Sequence, residues 1–282
     1  MPILDNDDLA LPKGSLVLVA GTRSWIQDLW DRTITIQGVK RGSRYIQPQC
    51  GAYQPPTFQY KVQKTREIFN SPHYDAVVVP EMEPEGAFDK AVKGVDAIIH
   101  LSSPLTSSPN PKEVVPTAVK GATSILRSAL KESRIQRFVF TSSSTATSLP
   151  IPGVRFKIDN TTWDTEVDDY VDFPPLYKPE NAFKVYSASK SKAEQALWDS
   201  VKEEKPNFAV NCINPAVNMG PVIDSPGETG GLVIKSSKGD VHWSFLLQYM
   251  VNVVDCARLH LIASIDGSVN NERILAFDVP FN

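Results

Sequence analysis

DAIIHLSSPLTSSPNPKEVVPTAVKGATSILRSALKESRIQRFVFTSSS, residues 96–144, passes from a short apolar run through a long amphipathic stretch into a second apolar run. Runs of this kind at 96–101 and 137–142, apolar without alternation, suit strands buried on both faces, as a parallel sheet requires. Between them, over 113–131, Val115, Ala118, Ala122, Ile125, Leu126 and Ala129 recur at steps of three and four. That spacing draws one apolar stripe along a helix, and the stripe needs a sheet to cover. The segment therefore reads as a strand, a crossover helix and a parallel strand.

The same alternation extends in both directions. Further strands are expected at 15–20, 76–79, 209–213 and 273–277, and further helices at 85–92, 186–203 and 254–264. This order predicts an α/β fold built on a doubly wound parallel sheet. We expect an acidic N-terminal tail over 1–10 and one domain over 11–282, with substrate-side insertions at about 149–185 and 216–250. Five prolines between 149 and 179 break the periodicity there, so that stretch reads as a loop or lid. The first strand–helix unit is irregular. A helix after Gly21 can run only to about Arg32, the stretch 33–39 already has strand composition, and 41–65 shows no periodicity.

Composition narrows the function classes. With 282 residues, 41% of them hydrophobic and 22% charged, the chain can bury a full core. A formal net charge of −3 leaves no basic surplus for a phosphate backbone or an anionic membrane surface, so neither nucleic acid nor membrane is expected as a partner. Cys50, Cys212 and Cys256 are scattered, fitting reduced thiols, and no His, Cys, Asp or Glu cluster has metal-ligand spacing. The first residues are acidic and no run approaches the ~18 apolar residues of a membrane span, so a cytoplasmic protein is expected.

Tyr186 and Lys190 stand four apart at the head of a helical segment, where their side chains share one face. Tyr60 and Lys64 have the same spacing, but only the first pair follows a buried strand that ends in Thr141, Ser142, Ser143 and Ser144. Ligands bind at the carboxyl ends of strands in an open α/β sheet. A phenol exchanges protons poorly at neutral pH unless a cation favours its anion, and Lys190 is placed to supply that charge. Such a trio suits proton transfer to a carbonyl oxygen, with Tyr186 as the acid and Ser143 steadying the oxygen. The bland alternative is a Ser/Thr-rich loop beside an ordinary surface pair.

LPKGSLVLVAG (11–21), VVVPEM (77–82), EGAFDKAVKGVDAIIHLSSP (85–104), RFVFTSS (137–143), YSASK (186–190) and NP....GP (214–221) resemble, in this order, the extended short-chain dehydrogenase/reductases that act on aldehydes and ketones. That group holds the methylglyoxal and dihydroflavonol reductases. The resemblance implies a Rossmann-like fold and NADPH-dependent reduction of a small-molecule aldehyde or ketone, of the kind that serves secondary metabolism. It implies that Ser143, Tyr186 and Lys190 are catalytic. On the cofactor side it places Gly21, Arg23, Arg41, Ser102, Ser103, Pro215 and again Lys190, which would reach the nicotinamide ribose.

The sequence departs from this pattern. The family's G-x-x-G-x-x-G/A reads Gly21, Ser24 and Gln27, so only the first position of the NADP(H) cradle is kept. A second reading therefore stays open: a pseudo-reductase without dinucleotide binding that acts as a non-redox isomerase or cyclase, binds a ligand, or is inactive. The chain stops at Asn282, so the resemblance implies a substrate region shortened at its C-terminal end. Trp163, Tyr170, Phe173, Tyr177 and Phe183, with His242, Trp243 and Phe245, are the expected substrate contacts, suited to an apolar or aromatic carbonyl compound. His100 and His260 are expected to be structural.

Overall fold

Alternate residues of the central strands serve two separate cores, which is why these strands are apolar throughout. In β1 (Val17–Ala20), Leu18 and Ala20 enter one hydrophobic cluster while Val17 and Val19 enter the other. The two-residue period of a strand requires this when both faces are covered. The computed structural model describes residues 9–12, 14–21, 43–48 (backbone only), 63, 66–67, 74–103, 108–151, 153–222, 228–239 and 248–281.

The remaining strands are β2 (Ser43–Pro48), β3 (Tyr74–Val79), β4 (Ala97–His100), β5 (Arg137–Thr141), β6 (Ala209–Pro215), β7 (Val217–Met219), β8 (Gln248–Asn252), β9 (Arg273–Ala276) and β10 (Val279–Phe281). Seven of them form one sheet in the order β3-β2-β1-β4-β5-β6-β9, with every neighbouring pair parallel. The order reverses between β1 and β4, and a crevice at the carboxyl ends of two such strands is where this architecture holds its ligand. A second sheet, β10-β8-β7, sits in the C-terminal part of the chain, with β8 and β10 antiparallel.

The helices are α1 (Pro111–Leu130), α2 (Val167–Val171), α3 (Ala182–Glu204), α4 (Glu228–Ser237) and α5 (Val253–Ile265). α1 begins cleanly because the Asn110 side chain accepts from the Lys112 backbone N–H at 3.1 Å and Pro111 occupies the first turn. Its apolar stripe, with Leu197 of α3, packs on Leu18, Ile98 and Phe138. α5 covers the opposite face through Cys256, Ala257 and Ala263. A fully buried aliphatic side chain contributes about 1.5–3 kcal/mol, so these two layers hold the sheet together.

The structure bears out the six strands and three of the four helices expected from the sequence, within a few residues at their ends. The helix expected at 85–92 is instead a run of turns, bonded Ala87 N to Pro84 O, Asp89 N to Gly86 O and Ala91 N to Phe88 O. Gly86 and Gly94, at φ 76° and 72°, bracket it and leave too few residues to propagate an α-helix. Phe88, Ala91 and Val92 are buried all the same. β2 lies within 41–65, where no pattern was legible, and the strand expectation at 33–39 falls outside the described residues. Of the N-terminal tail, Leu9 bridges Asp266 and the Ala10 N–H donates to Ile265 O at 2.8 Å. Among the described residues no helix is long and apolar enough to cross a membrane.

His260 joins α5 to the end of β5. Its Nδ1 lies 2.7 Å from the Cys256 carbonyl, which can only accept, so Nδ1 carries the proton and Nε2 accepts from the Thr141 hydroxyl at 2.8 Å. Burial pushes this imidazole down to about 4, against a backbone hydrogen bond that raises it. The folded protein therefore holds His260 neutral while the unfolded chain protonates below about pH 6.5, so stability is full above that pH and falls as pH drops toward 4. We predict that His260→Gln flattens this decline, removing about 3 kcal/mol of pH dependence between pH 6.5 and 4. Denaturant unfolding at stepped pH checks it; an unchanged slope refutes the assignment.

Candidate active site

Ser143 follows β5 and caps the 3-10 turn Ser144–Ala146. Its Oγ accepts from the Thr145 N–H at 3.3 Å and from the Thr145 hydroxyl at 3.1 Å. A hydroxyl that accepts both of these bonds keeps its own proton to donate to a substrate oxygen. Lys190 is buried in α3, and its Nζ donates to the Thr141 carbonyl at 3.3 Å. One turn earlier on the same helix, Tyr186 is half-buried, with its ring stacked on Phe183 at a centroid distance of 6.1 Å. Ser187 donates to the Thr145 carbonyl at 2.9 Å and lies 3.1 Å from Asp164 Oδ2. Burial raises the Asp164 carboxyl above its ordinary range. Helix α3 is thus fastened to the end of β5 at two points, Lys190 with Thr141 and Ser187 with Thr145, and both flank Ser143.

Glu194 was not singled out from the sequence. It is fully buried one turn beyond Lys190. One carboxylate oxygen accepts from the Ser142 hydroxyl at 2.6 Å and from Asn214 Nδ2 at 2.7 Å; the other accepts from Arg273 Nε at 2.6 Å and Trp198 Nε1 at 3.3 Å. Asn214 Nδ2 also donates to the Ser143 carbonyl at 3.2 Å. Arg273 continues to the carbonyls of Thr162, Asn160 and Ala146, and its guanidinium lies 4.0 Å from the Trp163 ring centre. The available signal was a carboxylate four residues after Lys190 on a helix face expected to be buried.

On the other side of the sheet's switch point, Gly21 directly follows β1 with φ 117°. A Cβ there would lie 2.7 Å from Ser102 Oγ and 2.8 Å from the Ser102 backbone nitrogen. The Ser102 hydroxyl is buried and, among the described residues, has no hydrogen-bond partner. A backbone bare of side chain beside an unpartnered hydroxyl fits a polar group of a dinucleotide entering between β1 and β4. Ser103 is half-buried beside it, and Pro215 is buried at the end of β6. Burial, with the Lys190 charge adding to it, pushes His100 down to about 3, so the imidazole at the floor of this crevice is neutral. Arg23, Arg41, Ser24 and Gln27 lie outside the described residues, as do Tyr60, Lys64, His242, Trp243 and Phe245.

A cavity of about 720 Å³ begins at Ser144, the residue after Ser143, and is walled by Ile151, Val154, Phe156, Tyr249 and Phe277. Its lining does not include Ser143, Tyr186 or Lys190. The Tyr249 and Phe277 rings stack at 5.6 Å. Three aromatics expected as substrate contacts are placed otherwise. Tyr170 is buried against Val115, Val167 and Ala188, and Phe173 packs on it at 6.0 Å, because α2 needs an apolar underside to hold it on α3. Trp163 covers Arg273. Among the described residues no group of three or more His, Cys, Asp or Glu side chains is placed to hold a metal.

Comparison with known proteins agrees with this geometry. The NAD-binding family model described as "Male sterility protein" matches residues 84–248. The NAD-dependent epimerase/dehydratase terH of Aspergillus terreus is 31% identical, over 96% of this chain and 80% of that protein. Ketoreductase adrE of Penicillium rubens is 32% identical, over 96% of this chain and 78% of its own. The structure of yeast methylglyoxal/isovaleraldehyde reductase Gre2 complexed with NADPH superposes with a TM-score of 0.73 at 21% identity, covering 94% of this chain and 78% of that one. Sheet order and sequence agree, and the chain belongs to the extended short-chain dehydrogenase/reductases, a family of nicotinamide-dinucleotide-dependent oxidoreductases.

Proposed function

We propose that this protein reduces an aldehyde or ketone with NADPH, within secondary metabolism, through Tyr186, Lys190 and Ser143. The observation that carries the reading is the fastening of one helix, bearing Tyr186 and Lys190, to both sides of the Ser143 turn at the carboxyl edge of the parallel sheet. The names of relatives support the carbonyl chemistry: one is a ketoreductase, and the yeast protein of the same fold is a methylglyoxal/isovaleraldehyde reductase held with NADPH.

The dinucleotide, when bound, supplies the hydride to the carbonyl carbon. Everything else falls to side chains of this chain. Tyr186 donates its phenolic proton to the carbonyl oxygen as negative charge gathers there. Lys190, fixed by the Thr141 carbonyl, holds a positive charge one helical turn away and stabilises the phenolate that remains. Ser143 donates its hydroxyl proton to the same oxygen. Gly21, Ser102, Ser103 and Pro215 would line the dinucleotide's side of the crevice, with Arg23 and Arg41 as candidates for its phosphates. The cavity of about 720 Å³ beyond Ser144 is the candidate space for the body of the carbonyl compound.

The competing reading, a fold without dinucleotide binding, rests on Ser24 and Gln27. The buried Ser102 hydroxyl, which has no hydrogen-bond partner among the described residues, favours binding instead. Thermal unfolding with NADPH and with NADH separates the two. At about 1,000 times the dissociation constant a ligand adds about 4 kcal/mol, so the melting temperature should rise by several degrees, more with NADPH than with NADH. No rise with either refutes the proposal. Gly21→Ala should abolish that rise, since its Cβ would meet backbone. Tyr186→Phe should keep it while turnover drops by about 10²- to 10⁴-fold, and retained turnover would show that the acid is another group.

A further inference from the structure

We infer that Glu194 and Arg273 are positioning residues: one buried ion pair sets the geometry of the catalytic trio and, from its other end, holds the segment 160–163 on the substrate side. This inference rests on the proposed function for what the trio does, but not for the contacts that place it. The carboxylate and guanidinium are both buried, with side-chain exposures of 0% and 7%, and they meet at 2.6 Å. Around them converge the parts of the chain that must be in register for carbonyl chemistry.

Glu194 shares α3 with Tyr186 and Lys190, so it moves rigidly with them. Its Oε2 receives the Ser142 hydroxyl at 2.6 Å and Asn214 Nδ2 at 2.7 Å. Asn214 in turn holds the Ser143 carbonyl at 3.2 Å. The backbone on both sides of the Ser143 α-carbon is therefore referred to the carboxylate of the helix that carries the phenol. Arg273 makes the second connection. Its guanidinium reaches the carbonyl of Ala146, the last residue of the turn after Ser143, at 3.4 Å, and the carbonyls of Thr162 and Asn160, while the Trp163 ring centre lies 4.0 Å from it. An ordinary structural ion pair needs none of this convergence. Here the remaining donors of Arg273 go to the catalytic turn and to the segment 160–163, while Glu194 accepts from Ser142, from Asn214 of β6 and from Trp198 of its own helix.

Removing one charge leaves the other buried and unpaired, so single variants risk unfolding. Glu194→Gln paired with Arg273→Gln removes both charges and leaves two amides able to bond each other, which separates stability from positioning. In the folded double variant we expect kcat to fall by about 10- to 100-fold, as displacements near 1 Å produce, with the dinucleotide Kd within about twofold of wild type. Hydrogen–deuterium exchange should rise in peptides covering 142–147 and 160–164 and stay unchanged in β1 and β4. If stability returns and kcat returns with it, the pair is structural only and the inference is wrong. If the double variant does not fold, Ser142→Ala, which deletes one small hydroxyl held by Glu194, should lower kcat about threefold to tenfold and raise exchange at 142–147; wild-type values for both overturn the inference. A wild-type protein that reduces no carbonyl compound defeats the proposed function alone, and the exchange measurement still decides whether Glu194 and Arg273 set the turn.

Discussion

Taking a carboxylate and a guanidinium out of water costs several kcal/mol per ion, and the Coulomb attraction between them offsets this only when neighbouring groups replace the lost hydration. Glu194 meets the condition with four donors from Ser142, Asn214, Arg273 and Trp198, and Arg273 meets it with backbone carbonyls and the Trp163 face. Because these groups come from several elements, satisfying two charges forces α3, β6, β9 and the ends of β5 and segment 160–163 into one arrangement. A slip of one helical turn would strand both ions. The pair thus penalises alternatives more than it stabilises the native state over an apolar replacement, and the register it selects is the one in which Lys190 reaches the Thr141 carbonyl and Ser187 the Thr145 carbonyl.

A second junction acts one residue away. Thr141 gives its hydroxyl to His260 and its carbonyl to Lys190, so the last residue of β5 is bonded to helices on both faces of the sheet. His260 can accept from Thr141 because burial keeps it neutral, and the buried ammonium of Lys190 needs the carbonyl because it has left water. The neighbouring Cys212 thiol is pushed well up by burial and by the Glu194 charge, so it stays an apolar filler under the site. The polar side chains behind the site thus have structural tasks that hold the exposed ones still.

How much of this was legible in the sequence follows from which physical signals are local. The strands at 96–101 and 137–142 and the helix between them announce themselves because two-sided burial and a 3.6-residue stripe are properties of the segment itself. Tyr186 and Lys190 were readable for the same reason, being four apart on one helix. Glu194 and Arg273 are 79 residues apart, and nothing near either one shows that the other will neutralise it. β2 was hidden because a strand ending in Pro48 owes its existence to β1 and β3 on its two sides, not to its own pattern. The 85–92 segment misled in the opposite direction: its apolar residues are buried at helical spacing, but Gly86 and Gly94 cut it too short to become a helix. Tyr170 and Phe173 misled because an aromatic beside a cleft and an aromatic holding a small helix down have the same local sequence.

The altered glycine motif can be weighed with the same distinction between what the sheet fixes and what it does not. Ala20 pairs with His100 as the last register pair of β1 and β4, and the Leu101 and Ser102 N–H groups both donate to the Ala20 carbonyl, at 2.8 and 2.9 Å. Neighbouring strands sit about 4.8 Å apart whatever follows them, so any Cβ at position 21 runs into the Ser102 backbone. Glycine is kept at that position. Ser24 and Gln27 come three and six residues later in the sequence and lie outside the described residues. A chain that had ceased to bind a dinucleotide would still need Gly21 to close β1 against β4, but not the buried Ser102 hydroxyl beside it, which has no partner among the described residues. Leaving a hydroxyl without a partner costs about 1–3 kcal/mol, and a ligand that reaches it there recovers that cost on binding.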